Sequence, residues 1–233
     1  MAGPRPTCGP RMMLEHSPPG LLALLALLSL LPLAAIVTTS YLKISVVLVL
    51  LRNALGVQQA PSTLALNAIA LAATMLVMAP TFNACVDEAR RSAPAFARAT
   101  APSGEEQIER ALAVAEPLRQ FMLRQSRVDE RERFADLVRR NAPSHAPTQT
   151  SENDWSVVVP SFVVSELQAA FEIGLLLFIP FIVIDLLVSN VLLTMGMQMV
   201  PPMMISLPLK LLLFVAADGW GRLLQALVLS YHA

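Results

Sequence analysis

The residues able to do chemistry are few, and their spacing is wrong for catalysis. Three histidines (His16, His145 and His232) are scattered along the chain, and Cys8 and Cys85 form no Cys-x-x-Cys pair. Neither set has metal-ligand spacing, and two isolated thiols are expected rather than a disulfide. The sequence contains no Walker loop, no His-Glu-x-x-His and no Gly-x-Ser-x-Gly. The expectation is a non-enzyme with no cofactor and no metal. Two other groups of residues stand out. Glu166, Glu172, Asp185, Lys210, Asp218 and Arg222 lie within or beside strongly apolar stretches. A charge at the centre of a membrane helix costs about 2.5–3.5 kcal/mol on insertion scales. Asp218 and Arg222 are four residues apart, on one helix face, and are expected to form a local ion pair. Glu172, Asp185 and Lys210 have no such neighbour and are expected to be buried against other helices or subunits.

The second group is the run Met195-Gly196-Met197-Gln198-Met199-Val200-Pro201-Pro202-Met203-Met204, which holds five of the 11 methionines and no charge. Pro201 and Pro202 bar helix continuation and Gly196 permits a tight turn, so the run reads as a hairpin loop. Methionine is unbranched and polarizable, and repacks around irregular shapes. Repeated around a ring, such a loop would close a pore when empty and yield to a passing chain. An apolar loop dipping into lipid or a neighbouring subunit has the same composition.

The elements that must position these residues are apolar helices. The 233 residues are 55% hydrophobic and 15% charged, against about 45–50% and 25% in soluble domains. With mean hydropathy at +0.58, the chain belongs to a membrane-associated class. Seventeen basic residues balance 17 acidic ones, which argues against nucleic acid as a partner. Charges are absent between His16 and Lys43, between Asn53 and Val86, and from Leu186 to Leu209. Gly20–Val37, Leu64–Phe82, Ile173–Leu193 and Leu207–Leu229 each approach the ~20 apolar residues that span a bilayer.

These segments predict an all-α organisation: an N-terminal tail over 1–19, a first hydrophobic helical hairpin over 20–82, a polar helical insert over 83–155, and a second hydrophobic hairpin over 156–233. Arg5 and Arg11 before Leu21–Val37 imitate a signal peptide, but Ile36-Val37-Thr38-Thr39 is a poor cleavage site and an uncleaved first helix is expected. Residues before Leu14 read as a disordered tail, with Met12 or Met13 as alternative starts. In the insert, Ser103 and Glu106 have capping-box spacing, and Ile108, Leu112 and Ala115 recur at helical spacing. Pro117 is expected to kink that helix or start another. A single helix over Val157–Leu193 would run about 55 Å, well beyond a bilayer core of about 30 Å.

Several long runs carry a family resemblance. Tyr41–Ser62 (YLKISVVLVLLRNALGVQQAPS), Met78-Ala79-Pro80, Pro117–Gln125 (PLRQFMLRQ) and Val159–Trp220, including PSFVVSELQAAFEIG and VLLTMGMQMVPPMMISLPLKLLLFVAADGW, resemble the FliP/SctR family in order. That family belongs to the core export apparatus of flagellar and virulence-associated type III secretion systems. The first 20 residues and Asp129–Asn153 carry no distinctive match. The resemblance implies a subunit of the export gate at the bacterial inner membrane, assembled as a pentamer into a helical ring with small FliQ/SctS-type and FliR/SctT-type subunits. Unfolded secretion substrates would pass through the ring. It implies that the family's methionine gasket falls on Met195, Met197 and Met199, that the insert faces the periplasm, and that the apolar helices are raised toward the periplasmic side in the assembled complex. The Ala-Leu-Gly-Val-Gln-Gln run favours an injectisome over a flagellum. A small-solute transporter or channel subunit would also account for four apolar segments and buried charges, though not for the long motif match.

Overall fold

A computed structural model describes residues 18–57, 61–98, 104–141, 151–197 and 199–231. Eight helices and no strand occur among the described residues: α1 (Pro18–Thr38), α2 (Tyr41–Leu55), α3 (Thr63–Arg98), α4 (Gly104–Gln125), α5 (Val128–Asn141), α6 (Trp155–Thr194), α7 (Met203–Ala216) and α8 (Gly219–Leu229). The chain is all-α. It divides into two compact units, residues 1–35 and 36–233. The first unit holds most of α1, a helix apolar around its whole circumference, as lipid-facing or fully buried helices are. Ser103, Cys8 and all three histidines lie outside the described residues.

Within the second unit, α2 is the central element. Lys43, Ile44, Val47, Leu48, Leu51, Ala54 and Leu55 are buried, a stripe at helical spacing. That stripe packs on the first half of α6, where Val157, Val158, Ser161, Phe162, Ser165, Glu166, Ala170 and Gly174 are buried. Gly174 allows the close approach: a Cβ there would stand 2.3 Å from Leu50 Cδ1. Leu66, Ala70, Val77 and Met78 of α3 and Phe121 and Met122 of α4 complete the core.

The second half of α6 is different. Past Gly174 only Phe181 and Leu192 of α6 are buried, while Leu175, Leu176, Ile179, Val183, Leu186, Leu187 and Val191 are exposed. At 40 residues the helix is about 60 Å long. The long-helix expectation is met and slightly exceeded. Pro117 neither ends nor divides its helix, since α4 runs through it, and α6 runs through Pro160 and Pro180. A proline removes one backbone hydrogen bond, a local cost that these helices tolerate. The expected boundary at residue 82 falls inside α3, which continues to Arg98. Its Thr63–Arg91 portion and α6 are each long and apolar enough to cross a membrane, and α7 with α8, bent by 62°, pass that test jointly.

Candidate functional site

The methionine loop is the turn between α6 and α7, and its backbone is closely specified. Gly196 takes φ +74°, a left-handed conformation in which a Cβ is costly. The Met197 N–H donates to Leu192 O at 3.0 Å and the Gly196 N–H to Leu193 O at 3.1 Å. This pair of bonds is the Schellman helix end, which satisfies carbonyls the last turn would otherwise leave open. On the far side Pro202 sits at the N-cap of α7, and its carbonyl accepts from the Ile205 and Ser206 N–H groups at 3.1 and 3.0 Å. The side chains project outward. Met195 is 66% exposed, Met197 41% and Met199 94%. Gln198 lies outside the described residues.

Behind the loop, a cavity of about 450 Å³ is lined in part by Gly56, Asp185, Pro202, Met203 and Lys210. Lys210 is buried, and its Nζ donates to Asp185 Oδ2 at 2.6 Å and to Ala54 O at 3.3 Å. Ala54 is in the last turn of α2, where carbonyls have no helical partner, so the lysine serves two elements at once. The Asp185 side chain stays 47% exposed. Glu172 is more open, with a side chain 61% exposed, and pairs with Arg127 at 2.7 Å. Of the three charges expected to be buried, Lys210 alone is buried in this chain. Glu172 stays out because it faces the α4–α5 junction across the surface of α6.

Asp218 and Arg222 are joined through the backbone, the Arg222 N–H donating to Asp218 O at 3.1 Å. Among the described residues no salt bridge joins their side chains. Asp218 adopts φ +51° at the N-cap of α8, which turns its carboxylate back over Gly221, where a Cβ would lie 2.8 Å from Oδ2. An acid at this end of a helix is stabilised by the helix dipole.

The most buried charged cluster was not anticipated as a unit. Lys43 of α2 and Glu166 of α6 have side chains 5% and 2% exposed and stand 3.6 Å apart. Tyr231, just beyond α8, covers both: its ring centroid lies 3.9 Å from Lys43 Nζ, and its hydroxyl donates to Glu166 Oε2 and, at 3.4 Å, to Ser40 O. Phe121 stacks on the tyrosine ring, with centroids 6.0 Å apart. The signal for the pair was present in the sequence, since Lys43 and Glu166 fall on the apolar stripes of their own helices. Nothing in sequence spacing links either to Tyr231.

The insert is tied to α6 by polar contacts. Arg119 takes Glu116 in a two-pronged bond at 2.8 and 2.6 Å and donates to Asn153 O at 2.7 Å. The Arg119 hydrogen bonds, ahead of a smaller opposing desolvation, hold the Glu116 carboxyl below its ordinary value. The Arg127 N–H donates to Ser165 Oγ at 2.9 Å, and Gln168 Nε2 to Glu130 Oε1 at 3.1 Å.

Fold and site together define an all-helical, membrane-type protein whose distinctive part is a methionine hairpin held between two apolar helices. The chain belongs to the FliP family, which it matches over residues 24–227. It is 48% identical over 205 residues to the harpin secretion protein HrpW of Pseudomonas syringae pv. syringae, covering 88% of this chain and 96% of that protein. It is 44% identical over 211 residues to the Yop proteins translocation protein R of Yersinia pestis, covering 91% and 95%. The flagellar biosynthetic protein FliP of Caulobacter vibrioides is 46% identical over 212 residues, covering 91% of this chain and 76% of that protein.

Proposed function

We infer that this chain is a subunit of the type III protein export gate at the bacterial inner membrane, in an injectisome, and that Met195, Met197 and Met199 form its gasket. The observation that carries this reading is the loop itself: a rigid helix end and a proline-capped helix start holding three outward methionines in a chain of a secretion family. Thioether side chains adapt to different shapes at low cost. A ring of them would seal against ions when empty and deform around an unfolded polypeptide in transit. Pro201 and Pro202 fix the direction in which the chain leaves the loop.

The bare apolar surface supports assembly. The exposed leucines, isoleucines and valines of the second half of α6 form a larger apolar face than a soluble monomer leaves open. In a ring, neighbouring copies and FliQ/SctS-type and FliR/SctT-type subunits would cover that face, with lipid covering the remainder. The part-exposed Asp185 and Glu172 are then available for contacts between subunits, and the insert would face the periplasm. Energy and substrate choice come from other components, so the role of this chain is passive gating.

The test is ion and dye leakage through the assembled complex reconstituted in vesicles. Replacing Met195, Met197 and Met199 together with alanine should raise leakage while leaving complex yield intact. Unchanged leakage in a fully assembled complex would refute the gasket.

A further inference from the structure

The arm formed by α7 and α8 is attached to the rest of the molecule in an unusual way. Its buried side chains are few: Ser206, Lys210 and Phe214 in α7, and Leu223 and Leu227 in α8. Leu209, Leu212, Leu213, Val215 and Leu229 are exposed. Apolar burial over these helices is confined to one face, with Phe214, Leu223, Leu227 and Tyr231 in the core and Trp220, Leu224 and Val228 against it, and polar ties add to the attachment.

Gln125 of α4 donates to the Tyr231 carbonyl at 3.2 Å, and two further ties share one plan. Near the methionine loop, Lys210 bonds an α6 carboxylate, Asp185, and an α2 end carbonyl, Ala54. Beyond α8, Tyr231 bonds another α6 carboxylate, Glu166, and the carbonyl of Ser40 at the opposite end of α2. Fourteen residues of α2 separate the two carbonyls, about 21 Å of helix, and 19 residues of α6 separate the two carboxylates, about 28 Å. The arm is thus tied to the α2–α6 pair at two points, while α8 itself packs on α3. The two fastenings differ in chemistry. Lys210 brings its own charge to a part-exposed acid, whereas Tyr231 brings a neutral hydroxyl and a ring to a Lys43–Glu166 pair already buried. The tyrosine can leave without stranding a charge of its own.

We propose that α7–α8 is a strap latched at its far end by Tyr231, so that releasing the tyrosine frees the C-terminal end of α8 while the α2–α6 pair stays folded. The hydroxyl bond to a carboxylate supplies the hold and the ring over Lys43 supplies the direction of approach. Tyr231 is in this sense a positioning residue for the strap. The proposal stands apart from the gasket reading, because the methionines play no part in the latch.

Hydrogen exchange on the assembled complex tests it. Tyr231→Phe keeps the ring and removes the hydroxyl, and should accelerate exchange of backbone amides in residues 223–231 about tenfold or more, with α2 and residues 157–174 of α6 unchanged. Acceleration spread evenly over α2, α6 and α8 would mean a general loss of stability and would overturn the latch, as would no acceleration at all. A second measurement separates the bond from simple packing. With Lys43→Met and Glu166→Leu already in place, adding Tyr231→Phe should change α8 exchange several-fold less than it does in the parent, because only the longer Ser40 bond is then lost. An equal effect in both backgrounds would overturn the proposal.

Discussion

Replacing Lys43 with methionine tests the buried pair most directly. The substitution conserves length and apolar stem, but leaves a Glu166 side chain that is 2% exposed without its cation. Tyr231 would be its remaining donor among the described residues. Removing one member of a buried ion pair costs about 3–5 kcal/mol, because the other charge stays desolvated without compensation. In a unit of this size 1 kcal/mol shifts the midpoint of thermal unfolding by about 2–4 °C, so Lys43→Met should lower it by roughly 10 °C in detergent. The double variant Lys43→Met/Glu166→Leu removes both charges and keeps the volume, and buried pairs replaced in this way are often neutral or more stable. Its midpoint should therefore return to within a few degrees of the parent. The assay is thermal unfolding of the purified complex, with yield as a control. If the double variant is as unstable as the single one, the reasoning from desolvation fails and the pair must act through a specific geometry.

Two further predictions concern close packing and pH. Gly174→Ala should destabilise the α2–α6 contact by about 1–3 kcal/mol, because the new Cβ meets Leu50; adding Leu50→Ala should recover most of the loss, and a thermal midpoint that does not recover would show that the approach is not set by that contact. Glu116 has a folded-state value held below its ordinary one by Arg119. Its contribution is therefore complete above the unfolded carboxyl range and is lost as pH falls through the lower, folded value. Hydrogen exchange around Asn153, which Arg119 also holds, should speed up with acid below about pH 4.5; Glu116→Gln should abolish that dependence, and an unchanged acid profile in the variant would sink the assignment.

The helices were readable because their signals are local. Long charge-free runs mark apolar helices whatever they pack against, and Gly196 with the two prolines marks the turn at 195–204 whatever surrounds it. Prolines were ambiguous for a physical reason: their cost is local, about one hydrogen bond and one steric clash, so Pro117 alone did not decide whether α4 would run through it. The spacing of Asp218 and Arg222 was ambiguous in a similar way. Four residues place two side chains on one helix face only if both are inside the helix, and Asp218 is at its N-cap with a left-handed backbone.

By itself, the sequence determined the all-α class, the membrane character, the methionine turn and the family, because composition, periodicity and long ordered motifs need no knowledge of contacts. Tertiary structure alone decided the partners of the charges. Lys43 meets Glu166, and both meet Tyr231, across 123, 65 and 188 positions of chain; Lys210 meets Asp185 and the open end of α2. Such pairings depend on which helix faces come together and at what height. Those are set by the summed packing of Gly174 on Leu50, Phe162 on Phe121 and Phe214 on Phe181, which no single segment encodes.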